Sequence, residues 1–197
     1  MHLSPKAVII QTSCASCVVR LLAAAQIAMM VRSGREVGHM TEIFIDADAC
    51  PVREEVFRVA GRLGLIVHVV SNGSRPIRPP GHPNIRMVIV TEGADVADDW
   101  IAERITSADI CVTADIPLAS RCLARGGRAL SHTGHVWTPN NIGSALAGRE
   151  IARHMRESGI ATQGPAPLDK AARSAFLSAL DTLAQAAIRA VRPKASS

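Results

Sequence analysis

The sequence predicts an α/β domain of three layers, a mostly parallel sheet with helices on both faces. Two observations predict it. From residue 41 onward, short apolar β-rich runs alternate with segments whose apolar residues recur at helical spacing. The runs LIVHVVS (65–71) and IRMVIVT (85–91) also read as buried strands, as a sheet covered on both faces requires. No repeat and no linker divides residues 41–192, which read as a single domain.

The first strand, 43–47, runs into Asp46 and Asp48, and Pro51 opens a helix over 52–63. Val52, Val56, Val59, Ala60 and Leu63 form its apolar positions. Strands 65–71 and 85–91 are separated by NGSRPIRPPGHPN, whose four prolines and two glycines make it a loop. A helix covers 95–106, a strand 109–113, a short helix 116–125 with Pro117 in its first turn, and a last strand 128–131. A longer helix is capped by Asn140 or Asn141 and stopped by Gly159. Past IATQGPAP, Asp169 caps a final helix to about residue 191, with Phe176, Leu180, Leu183 and Ala187 as its apolar stripe.

Residues 1–39 stand apart. Lys6, Arg20, Arg32 and Arg35 there face Glu36 alone, so they carry most of the net charge of +5. Beyond residue 40, 18 basic and 16 acidic side chains nearly balance, and any nucleic-acid footprint must be local. Aromatic residues are 3% with no Tyr, which leaves few platforms for stacked bases. The odd, sparse set Cys14, Cys17, Cys50, Cys111 and Cys122 fits a reducing cytoplasm, and no second pair completes a zinc site with Cys14 and Cys17. The run VVRLLAAAQIAMMV (18–31) is shorter than the ~20 residues of a membrane span and is broken by Arg20. It also matches a signal peptide poorly. GREVGHM back-translates to a purine-rich stretch just before a start codon at Met40. Residues 1–39 are therefore expected to be an upstream extension, with the native start at Met40. Intact mass of the natively expressed protein tests this.

The carboxylates carry the chemistry. In open α/β sheets, ligands bind beyond the carboxyl ends of the strands. Asp46 and Asp48 end the first strand, and a spacing of two points both side chains the same way. Asp115 follows the strand 109–113; Asp95, Asp98 and Asp99 open the helix after the third strand. Singly, each is accounted for by a turn or by the dipole of a helix N-terminus. Jointly, carboxylates from three strand-to-helix junctions meeting at one edge would repel, raising their pKa values. A hard divalent cation, Mg²⁺ or Mn²⁺, relieves that with oxygen ligands and retained waters, and can activate water against a phosphodiester.

The stretches IFIDADACPVREEVFRVA, DVADDWI, CVTADIPLA, NIGSALAGREIARHMRESG and GPAPLDKAARSAFLSAL together closely resemble the YaiI/YqxD family of uncharacterised bacterial proteins, over about residues 42–183. That family is similar in turn to PIN-like and NYN nuclease domains, which share an Asp ending strand one, an acidic helix start, and T-x-D after strand four. The resemblance implies a PIN-like fold and an RNA-directed nuclease. It matches Asp46, Asp98 or Asp99, and Asp115 to the metal-binding acids. Asp48 is the family's own second acid, for which the wider pattern offers no role.

Several further residues compete between a site role and a plain one. Asn72, after Ser71, can bond a phosphate or metal-bound water, or simply form an Asn-Gly turn. Arg75, Arg78, His82 and Arg86 form a basic loop at the rim, as phosphate contacts or as solvated charges. Thr113 is placed to hold a water or phosphate oxygen, and Arg149 to pair with the acids or with substrate. His132 and His135 lack a nearby carboxylate and do not read as a metal site, and Cys50 reads as packing. Two other functions fit. One is a HAD-type phosphatase with Asp46 as nucleophile and Asp48 as general acid. It lacks a lysine at a matching strand, since the chain holds only Lys6, Lys170 and Lys194. The other is a non-catalytic module binding metal, nucleic acid or protein.

Overall fold

The computed structural model describes residues 9–11, 40–47, 50–73, 81–90, 93, 95–158 and 168–191. Its strands are β1 (Ile9–Gln11), β2 (Glu42–Asp46), β3 (Ile66–Ser71), β4 (Ile85–Ile89), β5 (Ile110–Val112), β6 (Arg128–Leu130) and β7 (Val136–Trp137). The helices are α1 (Arg53–Leu63), α2 (Val96–Arg104), α3 (Ile116–Ala124), α4 (Ile142–Glu157) and α5 (Lys170–Val191). The sheet runs β1-β4-β3-β2-β5-β6-β7. Its five central strands are parallel, while β1 on β4 and β7 on β6 are antiparallel edges.

The predicted three layers are present. Successive strand side chains alternate between faces, so Ile43 and Ile45 meet α1 and α5 while Phe44 meets α2 and α3. On the first face, Ile43, Ile45, Val67, Val69 and Ile110 share a core with Val56, Val59, Phe176 and Leu180. On the second, Phe44, Val70, Val88 and Cys111 pack against Ile101, Leu118 and Cys122. Phe176 is wholly enclosed, and its truncation to Ala would cost about 3–5 kcal/mol. Gly134 makes room for it. At φ 89°, a Cβ there would stand 3.0 Å from the Phe176 backbone.

Several boundaries moved for local reasons. Val52 stands at the N-cap of α1 without a side-chain cap, and α2 stops at Arg104 because Ile105 is extended. Asp169 caps α5 as expected, accepting from the Ala172 amide at 2.7 Å. Asn141 stands at the N-cap of α4 but does not cap it. Its amide group instead ties the preceding turn, accepting from Thr138 N (2.8 Å) and donating to Val136 O (3.0 Å). The Gly159 stop lies outside the described residues. The strand β7 was not expected, because two residues carry no periodicity. It exists because Ser131 closes a hairpin, its hydroxyl accepting from the amides of Thr133 and His135.

One feature of the topology places the site. From β2 the chain builds outward through β3 and β4, then returns to the other side of β2 to lay down β5 and β6. The order reverses between β2 and β5, the position at which open α/β sheets bind ligands beyond the carboxyl ends of their strands.

Candidate active site

Asp46 ends β2 at that reversal, 5% exposed, on the face turned toward α2 and α3. Thr113 follows β5, its partner strand, and is wholly enclosed. The Thr113 hydroxyl donates to Asp46 Oδ2 at 3.0 Å and accepts from the Asp115 amide at 2.9 Å. One side chain thereby sets the two acids against each other across the strand pair. Thr113 was expected to hold a water or a phosphate. With its proton committed and no surface, it is a brace between acids.

Asp115 is the N-cap of α3: its Oδ2 accepts from the Leu118 amide at 3.1 Å, with Pro117 inside the first turn. Its Oδ1 accepts from Arg149 of α4. Arg149 thus reaches the acidic cluster, one of the two parts anticipated for it.

Asp98, in the first turn of α2, completes the arrangement. Its carboxyl is pushed up to about 6, first by burial and then by the charges of Asp46, Asp115 and Asp95, with Arg121 pulling the other way. The neighbouring Asp99 points outward and is bonded by Arg121 at 2.6 Å. Of the three acids that open this helix, the fold turns Asp98 toward Asp46 and Asp115 and leaves Asp95 and Asp99 exposed. Arg121 was missed by sequence reasoning, and its one signal was a place on the polar side of α3, two turns after the Asp115 cap.

The remaining candidates divide. Asn72 is half-buried just past β3, at the same edge as the acids. The turn reading of Asn-Gly also holds there, since Gly73 sits at φ 77° and its amide donates to Ser71 Oγ. Asp48, Arg75 and Arg78 lie outside the described residues. His82 and Arg86 do not face the acids. A connection between parallel strands must cross the whole sheet, so its end emerges at the opposite edge. His82 abuts Gly61 there, and Arg86 lies beside His68. Cys50 is buried near Asp46, and burial pushes its thiol up to about 12, as befits packing.

Among the described residues, no group of three or more His, Cys, Asp or Glu side chains is placed to hold one ion together. The carboxylates therefore face each other at electrostatic range and do not form a closed cage. Mg²⁺ asks for less: one or two carboxylates, with waters and substrate phosphates filling the rest. An all-oxygen donor set with Asp98 raised by its neighbours fits such a cation and does not fit zinc, which favours His and Cys. Also among the described residues, no helix is long and apolar enough to cross a membrane.

The sequence model of the uncharacterised YaiI/YqxD family matches residues 44–186. A UPF0178 protein of Rhodospirillum rubrum is 53% identical over 148 residues, spanning 75% of this chain and 98% of its own length. One from Paramagnetospirillum magneticum is 54% identical over 152 residues, spanning 77% and 99%. One from Parvibaculum lavamentivorans is 50% identical over 154 residues, spanning 78% and 100%. Their shared name states no activity. No solved structure matches the chain.

Proposed function

The chain belongs to the uncharacterised YaiI/YqxD family, and from that premise we propose that its acidic edge is the site of a Mg²⁺- or Mn²⁺-dependent phosphodiesterase acting on RNA, a PIN-like nuclease. One observation carries the reading. Acids from three strand-to-helix junctions converge at the topological reversal, closely enough that Asp46 and Asp115 help raise Asp98 to about 6. Structural carboxylates are normally spread apart or matched to donors, and convergence of this kind marks functional sites.

One or two of Asp46, Asp98 and Asp115 would hold the cation, with waters and substrate oxygens filling the rest and Asp48 as a further acid. When bound, the ion supplies Lewis acidity and lowers the pKa of a water. Thr113 keeps Asp46 and Asp115 in register. Asp98 would have to be deprotonated to serve as a ligand, so cation binding should weaken below about pH 6. Arg149 occupies Asp115 Oδ1, and a phosphate oxygen offers its guanidinium a bidentate alternative. Transfer of Arg149 from Asp115 to substrate would leave that carboxylate available as a ligand. Asn72 stands at the same edge, placed to contact substrate. The described cations at this edge are arginines, Arg121 and Arg149, so nothing favours aspartyl-phosphate chemistry with its lysine.

Thermal melting tests the premise. Mg²⁺ or Mn²⁺ should raise Tm over EDTA by linkage, and Asp115→Asn, which preserves the helix cap, should lose most of that rise. Cleavage of single-stranded RNA in Mn²⁺ by wild type, absent in Asp98→Asn, then separates an enzyme from a binding module. A wild-type chain indifferent to both ions removes the nuclease reading.

A further inference from the structure

The outer part of α4 has no role in the site just described, and its sequence pattern is unusual for a helix on a packed domain. Ile142 and Leu146 pack into a small core with Ala119, Ala129 and Trp137, anchoring the first turns of α4. The same face continues at Arg149, Arg153 and Arg156, following the 4-3-4-3 spacing that normally carries apolar residues into a body. Past Leu146 no other part of the described residues covers that face. Every residue from Ala147 to Ser158 except Ala152 is exposed, and Ala152 is half-exposed. A row of three arginines therefore overhangs the acidic edge for about 10 Å of helix. Its first member is already in contact with Asp115.

Two observations say what such a row meets. Among the described residues, the Arg156 side chain forms no ion pair, and Arg153 is held only by Glu150 and Glu157 of its own helix. Exposed pairs of this kind contribute little, so exchange of a carboxylate for a phosphate is easy, and arginine grips phosphate in two-pronged fashion. Second, the hairpin after β6 opens at the same sheet edge and presents an exposed imidazole, His135. Trp137 holds that ring edge-on at 4.5 Å between centroids, and Asn141 Nδ2 lies 3.3 Å from its Nε2. An exposed ring packed edge-on against Trp137 beside the N-cap of α4, with the arginines about 12–22 Å along the same helix, suits an unpaired base on a strand whose backbone follows that helix.

We infer that the arginine face of α4, with His135 as a base platform, is the track along which a single strand of RNA enters the acidic edge. It rests on the phosphodiesterase reading for its direction but not for its binding. A duplex fits poorly, because one row of cations and one ring address one backbone and one unstacked base.

The test is fluorescence anisotropy of a labelled, unstructured oligoribonucleotide in EDTA across a salt series. Wild type should bind, with affinity falling as salt rises. Arg156→Ala should weaken binding at low salt and lower the slope of log affinity against log salt by about one, and Arg153→Ala with Arg156→Ala by about two. His135→Ala should weaken binding about tenfold with the slope unchanged, since stacking releases no counterions. Arg153 and Arg156 are exposed, and unchanged melting of their variants checks the fold. An unaltered slope in the arginine variants, no binding by wild type, or equal affinity for duplex RNA each overturns the inference. Because the assay holds no cation, a wild type that binds RNA but shows no cation-linked Tm rise defeats only the phosphodiesterase reading. A Tm rise without RNA binding defeats only the track.

Discussion

The two edges of the sheet both hold enclosed carboxylates, and they treat them in opposite ways. At the amino edge Asp109, 1% exposed, sits just before β5. It accepts from the Glu42 amide at 3.0 Å, the Thr106 amide at 2.9 Å and the Thr106 hydroxyl at 2.7 Å. Close by, Glu42 meets His68 Nε2 at 2.7 Å, and the His68 ring stacks on Phe44. At the carboxyl edge, six residues beyond Asp109, Asp115 joins Asp46 and Asp98 in a group where burial first, and then repulsion by the other acids, raises the Asp98 carboxyl to about 6. The first edge matches acids with donors and fastens strands. The second sets acids against acids, with Arg121 and Arg149 as partial counter-charges. Carboxylate burial alone does not identify a site; the identity of the facing groups does.

Substitutions can break or sharpen that contrast. The largest effect is expected from Asp109→Ala, which strands two amides and a hydroxyl in a dry edge. Leaving those buried donors unsatisfied should cost about 3 kcal/mol in urea unfolding, with no effect on any cation-linked Tm rise in molecules that remain folded. Thr113→Val removes the brace and leaves the Asp115 amide without its acceptor. It should cost about 1–2 kcal/mol, whereas Thr113→Ser, which keeps the hydroxyl, should recover most of it.

Asp98→Asn should run the other way. A carboxyl whose folded pKa is raised destabilises the fold once ionised. The penalty is absent below about pH 4, grows between pH 4 and 6, and is complete above that. The cation-free variant should therefore be more stable than wild type at pH 7.5, by roughly 1–2 kcal/mol after allowing for a half-exposed group. The gain should vanish by pH 4, as melts across that range will show. If the variant is instead less stable at pH 7.5, the acids do not repel and the contrast between edges fails. The smallest effect is expected for Arg149→Ala. Its ion pair is half-exposed on the arginine side, so stability should change by less than about 1 kcal/mol. Mn²⁺ should nonetheless raise Tm at lower concentration than in wild type, because a competitor for Asp115 is gone.

Much of this was legible in the order of residues. The alternation from residue 41 gave the layers, since a chain that repeatedly buries a strand and then one helix stripe has few other ways to cover both sheet faces. The acids at three strand ends announced the carboxyl edge, and of the stripe Phe176, Leu180, Leu183 and Ala187 all but the half-buried Leu183 are enclosed. Other features depended on direction rather than on pattern. Asp98 and Asp99 are adjacent and chemically identical, and only the seating of α2 turns one inward and the other to Arg121. Thr113 carries the same hydroxyl whether it faces solvent or two acids. His82 and Arg86 belong by sequence to one basic loop, yet a parallel crossover delivers them to the far edge.

Sequence by itself determined the kind of layers, the α5 cap at Asp169 and the set of acids from which a site is built, because these follow from local periodicity and backbone chemistry. Tertiary structure alone decided which acids converge, which residue braces them and where the row of arginines on α4 overhangs. The physical reason is that repulsion, bracing and overhang are distances between segments far apart in the chain, and they acquire values only when the sheet brings those segments together.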